Sequence, residues 1–303
     1  MASAFDLQGH RGARGLMPEN TLPAYEKAVE IGVSTLELDV GVTRDGVVVI
    51  SHDRSLNPDI TRDAQGQWLQ APLLVNQLSL AELQAHDVGR INPNCEYFRR
   101  FGSQTAIDGT RMPTLAQLFE RMNALKSKVY FNIETKISPE KPSETVNPEI
   151  FVEKLLAVVT QHQMQERVII QSFDWRTLAI VQQRAPQVRT AYLTAQQPWT
   201  DNIKPKSPET TRWTGAVRYE EHSDVPSMVK AAGGTVWSPY FADMSAALVK
   251  KAHDLGLKVV PWTVNTEKDL LHVIGLGVDG LISDYPDLAR AVLESKGIQI
   301  RRD

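Results

Sequence analysis

The sequence has a single cysteine, Cys95, among 303 residues. No disulfide can form within the chain, and no cysteine cluster can hold a metal. It has no apolar run approaching the ~18 residues that a membrane span needs. Neither sign of charge dominates. The 33 Lys and Arg against 36 Asp and Glu give a formal net charge of -3, which is no basic footprint for nucleic acid. Hydrophobic residues make up 42% and charged residues 23%, ordinary globular usage that excludes disorder and collagen-like structure. A chain this long buries most of its unfolded surface without a staple, and its length suits one large domain or two ordinary ones. The opening Met-Ala-Ser-Ala-Phe-Asp contains no signal peptide, which as written reads as cytoplasmic. Yet Ala2-Ser3-Ala4 fits the small-residue pattern that precedes a cleavage point, the start expected of a periplasmic or secreted protein whose export signal was removed before Phe5. Both compartments stay open.

What the chain does have is alternation. Residues 7–13 are a short strand-like start running into glycines. Residues 21–32 read as a helix, with Thr21 as N-cap, Leu22, Tyr25 and Val29 at helical spacing, and Gly32 as the stop. Residues 35–42 alternate apolar and polar side chains as a strand does. Residues 47–51 are a second apolar run behind the turn signal Arg44-Asp45-Gly46. The rhythm then stops. Residues 54–111 are rich in Asn, Pro, Gln and Gly, with one helical patch near 79–85. That is too long for a loop in a compact barrel and reads as an inserted subdomain or lid over 54–112. Beyond it the spacing predicts strands at 129–137, 167–173, 189–194, 235–239, 258–264 and 280–283, and helices at 114–125, 148–163, 175–184, 245–255, 266–274 and 286–296. The Pro- and Thr-rich stretch 196–223 is unassigned. About eight strand–helix units predict an α/β fold, a (β/α)8 TIM barrel forming a single domain over 1–303 with that insertion after the second strand region. A doubly wound open sheet is the rival. It normally carries a glycine-rich phosphate loop after the first strand, and Gly9, Gly12 and Gly15 are spaced differently.

In a barrel, catalytic residues sit at the C-terminal ends of the strands, so polar residues that interrupt apolar strands are the candidates. In Leu36-Glu37-Leu38-Asp39-Val40 alternate side chains share a face. The apolar set suits the helix layer, which turns Glu37 and Asp39 into the barrel. Two neighbouring buried carboxylates repel each other and lose hydration, a conflict that a cation resolves. In the strand after the insertion Asn132, Glu134 and Lys136 share a face. Glu37, Asp39 and Glu134 are therefore candidate ligands of one hard divalent cation, Ca2+ or Mg2+. The lack of a cysteine cluster or paired-histidine spacing argues against zinc. The structural alternative is a salt-bridge network of Glu37 or Glu134 with Arg11 or Lys136. It would account for any one carboxylate alone, but less well for three on neighbouring strands.

His10 and His52 end apolar segments that lead to the predicted barrel mouth, and histidine suits general acid and base work near neutral pH. The other five histidines read as structural. Arg11 supplies a fork suited to phosphate oxygens, and Lys136 a second positive charge. Together with a divalent ion these residues predict phosphoryl chemistry. Glu19 and Asn20, ahead of the first helix, read as capping and loop residues that could also support the metal ligands. The Arg99-Arg100 pair in the insertion reads as solvated surface.

Gly9-His10-Arg11-Gly12, Pro18-Glu19-Asn20-Thr21, Glu37-Leu38-Asp39 and His52-Asp53 are followed by Glu134-Thr135-Lys136, Gln171-Ser172-Phe173, Trp262-Thr263-Val264-Asn265 and Ser283-Asp284-Tyr285-Pro286. Each piece alone is weak, but in this order, from residue 8 to about residue 290, the set resembles the glycerophosphodiester phosphodiesterase family. The resemblance implies a (β/α)8 barrel with an insertion after the second histidine. It implies metal-dependent hydrolysis of small glycerophosphodiesters, such as glycerophosphocholine and glycerophosphoethanolamine, to glycerol 3-phosphate and an alcohol. Within it His10 and His52 look like the general acid and base, Glu37, Asp39 and Glu134 like the metal ligands, and Arg11 and Lys136 like the phosphate contacts. The nucleophile could be water or the substrate's own glycerol hydroxyl. Trp262, at a strand end, is a candidate substrate contact, because an aromatic face suits a glycerol backbone or a choline-type cation. Phe173 and Tyr240, also at strand ends, could line the pocket or simply close the barrel top.

Two other readings compete. A phospholipase-type barrel would share the chemistry but must meet a bilayer, and no basic amphipathic helix suits one. A barrel that only binds a phosphate ester has no need of two histidines placed for proton transfer.

Overall fold

A computed structural model describes residues 4–204 and 213–301. Ala2 and Ser3 of the small-residue start, and residues 205–212 of the unassigned stretch, lie outside the described residues. The chain enters through β1 (Asp6–Gly9) and returns along α1 (Leu22–Ile31). The caps of α1 are those its sequence predicts. Thr21 accepts a hydrogen bond from the Ala24 N–H, and Gly32 closes the helix at φ 89°, a left-handed conformation open to a residue without a Cβ. Next come β2 (Thr35–Val42) and β3 (Val48–Ile50), which folds back antiparallel onto the end of β2.

The excursion that interrupts the rhythm holds the short ladder of β4 (Ser55–Leu56) with β5 (Leu73–Leu74), then α2 (Leu80–Gln84) and α3 (Glu96–Phe101). It packs on β3 through its own apolar cluster of Val49, Leu56, Val75, Leu83 and Met112. Helix α3 is absent from the sequence reading. It has six residues, and Cys95 ahead of it makes no capping hydrogen bond, so neither period nor cap marks it.

The alternation then resumes with α4 (Leu115–Ala124), β6 (Tyr130–Thr135), α5 (Pro148–Gln161), β7 (Val168–Ser172), α6 (Trp175–Arg184) and β8 (Arg189–Thr194). A hairpin of β9 (Gln196–Gln197) and β10 (Thr200–Asp201) follows. The chain ends with α7 (Val225–Ala231), β11 (Val236–Pro239), α8 (Ala246–Asp254), β12 (Lys258–Val259), α9 (Glu267–Gly275), β13 (Gly280–Ser283) and α10 (Pro286–Ser295).

Strands β12, β11, β8, β7, β6, β2, β1 and β13 lie side by side in that order, all parallel. Backbone hydrogen bonds bring the two ends together: Asp279 N–H donates to the Val259 carbonyl and Ile282 N–H to the Pro261 carbonyl, each at 2.9 Å. This is the TIM barrel the alternation predicts. The strand expected over 258–264 shortens to two residues because Pro261 has no N–H for the ladder. Leu36, Leu38 and Val40 are fully buried in the apolar layer, with Phe131 and Ile133 of β6. The opposite faces of the same strands carry Glu37, Asp39, Asn132 and Glu134 into the barrel, where the parallel register sets Glu37 beside Asn132 and Asp39 beside Glu134.

Candidate active site

That register gathers the three carboxylates. Oxygens of Glu37, Asp39 and Glu134 all lie within 4.8 Å of one another, and all three residues are buried. Gln171 Nε2 donates to Glu37 at 2.6 Å and the Arg11 backbone N–H at 3.0 Å. Asn20 Nδ2 donates to Asp39 Oδ2 at 3.0 Å, and Lys136 Nζ to Glu134 at 2.8 Å. Asp39 Oδ1 is buried without a hydrogen-bond partner. Asn20 therefore braces a carboxylate of the cluster.

Burial drives the carboxyls of Glu37 and Glu134 up, with the negative charges around them adding to it. Glu134 reaches about 7 even with Lys136 pulling it down. Burial pushes Asp39 the same way, but His52, Lys136 and Arg11 hold it below the usual carboxylate range. The cluster thus combines one firm anion with two carboxyls that resist ionising. An orphaned oxygen within an all-oxygen donor set fits a hard divalent cation. The salt-bridge alternative explains the Glu134–Lys136 pair. It also reaches Asp39, whose Oδ1 lies 3.7 Å from Lys136 Nζ and whose Oδ2 lies 3.5 Å from Arg11 Nε. But it leaves Asp39 Oδ1 without a hydrogen bond and does not explain Glu37, which Arg11 meets through its backbone.

Each histidine is paired with a carboxylate. His10 Nδ1 lies 2.6 Å from Asp284 Oδ1, and its Nε2 is 3.8 Å from Glu37. Asp284 follows β13 and is gripped by Arg14 at 2.6 and 2.8 Å and by Asn265 Nδ2 at 2.6 Å. Burial would raise Asp284, yet Arg14 and His10 hold it far below the carboxylate range. Burial lowers His10 to about 4 despite Asp284. His52 Nδ1 lies 2.8 Å from Asp53 Oδ1, whose other oxygen accepts from Asn57 at 2.9 Å. Burial, then the charges of Arg11 and Lys136, push His52 well below its ordinary value. With Nδ1–H donated to a carboxylate, Nε2 of each ring carries the lone pair and can accept a proton.

A cleft of about 780 Å³ contains His10, Arg11, Glu37, His52, Glu134, Lys136 and Trp262 in its walls, and Asp39 lies fully buried just behind them, in the cluster with Glu37 and Glu134, so the structure brings every predicted site residue together. Arg11 is held by Glu19 at 2.8 Å, and Glu19 also receives the Tyr97 hydroxyl from α3. Arg100 of the same helix lines the cleft while staying exposed, in keeping with its reading as solvated surface, and Arg99 faces solvent, paired with Glu96.

Two kinds of side chain stand out in the lining of the cleft: the cations Arg11, Arg14, Arg100 and Lys136, and the aromatics Phe173, Trp199, Tyr240 and Trp262, whose rings pack together. Trp262 meets Phe173 edge-on at 5.3 Å and Tyr240 at 5.4 Å between ring centroids. Trp199, in the β9–β10 turn, is 61% exposed and packs on Tyr240 at 5.2 Å. Sequence reasoning missed Trp199, inside the unassigned stretch, and gave no role to Asp284, Arg14, Asp53 or Asn265. For Asp284 a local signal exists: a lone acid directly after an apolar strand.

A sequence profile of the Glycerophosphoryl diester phosphodiesterase family matches residues 10–288. The chain is 30% identical over 278 residues to a glycerophosphodiester phosphodiesterase of Caldanaerobacter subterraneus subsp. tengcongensis, covering 92% of this chain and 93% of that one. A crystal structure of a candidate glycerophosphoryl diester phosphodiesterase from Silicibacter pomeroyi superposes with a TM-score of 0.87 at 36% identity, covering 99% of this chain and 96% of the other. An Oleispira antarctica phosphodiesterase, solved with the product sn-glycerol-3-phosphate, shares the fold at a TM-score of 0.71 and 22% identity over 96% of this chain and 97% of its own.

Proposed function

The chain belongs to the glycerophosphoryl diester phosphodiesterase family, and on that premise we propose that it hydrolyses glycerophosphocholine and glycerophosphoethanolamine to glycerol 3-phosphate and the free alcohol, with His10 and His52 as acid and base and with Ca2+ or Mg2+ held by Glu37, Asp39 and Glu134. The observation that carries the reading is the convergence of three buried carboxylates and two carboxylate-paired histidines on one cleft.

The cation, when bound, would neutralise the phosphodiester and polarise its P–O bonds. The remaining work falls to this chain's side chains. Arg11, braced by Glu19, and Lys136 offer donors to the equatorial oxygens, where charge redistributes in the transition state. One histidine accepts a proton at Nε2 from the attacking hydroxyl, water or the glycerol hydroxyl of the substrate. The other delivers a proton to the leaving alkoxide; where the glycerol hydroxyl attacks, the cyclic phosphate it forms is opened to glycerol 3-phosphate by water in a second step with the same acid and base. Asp284 and Asp53 hold the rings in the tautomer this requires. The chain acts as one domain, with residues 54–112 supplying a wall of the cleft through Tyr97 and Arg100.

Glycerol 3-phosphate release from glycerophosphocholine tests the reading. Release that EDTA abolishes and Ca2+ or Mg2+ restores is expected. No release from either named diester with either ion would remove the substrate assignment. The aromatic lining of the cleft suits a quaternary ammonium, and a cation over an indole is worth about 0.5–2 kcal/mol. Trp262→Ala should therefore raise KM for glycerophosphocholine roughly two- to thirtyfold, and raise it less for a diester with an uncharged glycerol headgroup. Equal rises for both would mean that Trp262 packs the wall without recognising the headgroup.

A further inference from the structure

The barrel has a second cavity, at the end opposite the cleft. It measures about 230 Å³ and is lined by Asp6, Gln8, Asn132, Arg189, Ser238 and Arg301, among others. Barrel interiors are usually filled by branched apolar side chains, but here the amides of Gln8 and Asn132 interrupt an inner wall that also carries Ile169, Val236 and Val260. Asn132 Nδ2 donates to Gln8 at 2.8 Å and to Gln171 at 2.9 Å, while Asn132 Oδ1 is buried with no partner. Asn132 and Gln8 are almost wholly buried.

Two arginines stand at the mouth, both against the ring of Tyr130. The guanidinium carbon of Arg301 lies 3.9 Å from its centroid and that of Arg189 5.2 Å. Among the described residues, Arg189 Nη2 and Arg301 Nε are buried donors without acceptors. Asp6, 3.6 Å from Arg301, is the nearby acid, and its oxygens already accept from Gln8, Ser34 and Thr35. Asp279, the other acid of the lining, is taken by Lys258 at 2.7 Å and His253 at 2.9 Å. Arg189 makes no ion pair among the described residues. Two neighbouring cations with unfilled donors are thus set against one shared anion. Water could fill the donors but would leave the charge unbalanced.

We propose that this cavity is a binding site for a small oxyanion of the phosphate type, separate from the catalytic cleft. The forked guanidiniums of Arg189 and Arg301 suit its charged oxygens. The orphaned Asn132 Oδ1 on the inner wall suits an anion that carries a hydroxyl of its own, as monohydrogen phosphate does.

Calorimetric titration of metal-free protein with inorganic phosphate tests this. Lys136→Met serves as the background, so that binding in the catalytic cleft is weakened. Phosphate should still bind the Lys136→Met protein. Adding Arg189→Met should weaken that binding at least about tenfold, the scale of one lost charge-assisted hydrogen bond. Arg301→Met should do the same and, at a partly exposed position, keeps the test open if Arg189→Met fails to fold; circular dichroism and the unfolding midpoint judge folding. Absence of binding to the Lys136→Met protein, or binding that the arginine replacements leave within about twofold, overturns the proposal and leaves a water-filled cavity.

Discussion

His10→Ala is expected to lower kcat by about 10²–10⁴ with metal saturating, and His52→Ala by a similar factor. The double variant should fall little below the worse single one, because a base and an acid whose two proton transfers share one transition state act as a unit. The argument for His10 rests on its surroundings. Burial alone would make its imidazolium too costly to form, and it holds the ring neutral down to about pH 4. Asp284 opposes that cost at the moment the ring takes a proton, and Arg14 and Asn265 keep Asp284 ionised and aimed. Asp284→Asn should therefore lower kcat far more than it raises KM, since it removes stabilisation of a charge that exists only once the proton has moved. Steady-state kinetics on variants with unchanged circular dichroism decide it. If both alanine variants kept near-full kcat, the histidines would not carry the proton transfers.

How far the site is legible in the sequence follows from the distance over which each feature is encoded. The alternation of Glu37 and Asp39 with Leu36, Leu38 and Val40 has a period of two residues, so a window of five shows which side chains turn inward. The caps of α1 are equally local. The pairing of Asp39 with Glu134 is a matter of register between strands separated by the whole insertion, and alternation within each strand says only that both could face the same cavity. Asp284 lies 274 residues from His10. Its place after an apolar strand is visible, but its aim is set by the closing of the barrel between β1 and β13. Trp199 stands in a two-residue hairpin turn with no periodic neighbours, so its position in the aromatic wall comes from tertiary packing alone. The polar barrel interior is the extreme case. Gln8, Asn132 and Gln171 look like scattered amides until the strands that carry them are laid side by side.

The carboxylate cluster yields the second large effect, because stability and activity should move in opposite directions there. Burial raises Glu134 from 4.5 to about 7. A carboxyl raised on folding leaves the fold undiminished below the unfolded value and weakens it as pH climbs through the folded one, by about 3 kcal/mol in full for this shift. In the metal-free protein this weakening develops between about pH 4.5 and pH 7. Glu134→Gln removes the charge while its amide oxygen can still accept from Lys136. Metal-free Glu134→Gln should therefore match the parent protein near pH 4.5 and exceed it by up to about 3 kcal/mol near pH 7.5. Comparing the two proteins at each pH separates this change from that of His10, whose lowered value weakens the fold as pH falls below 6.5. Added Ca2+ or Mg2+ should reverse the order, stabilising the parent more, since a ligand that binds only the native state stabilises in proportion to its affinity. At the same time kcat/KM should fall by at least about 10²-fold, more than a typical outer-shell change. Denaturant unfolding across that pH range, with and without the ion, reads both signs. A Glu134→Gln protein less stable than the parent at pH 7.5 without metal would mean that Lys136 already neutralises the cluster, and the case for a cation there would fail.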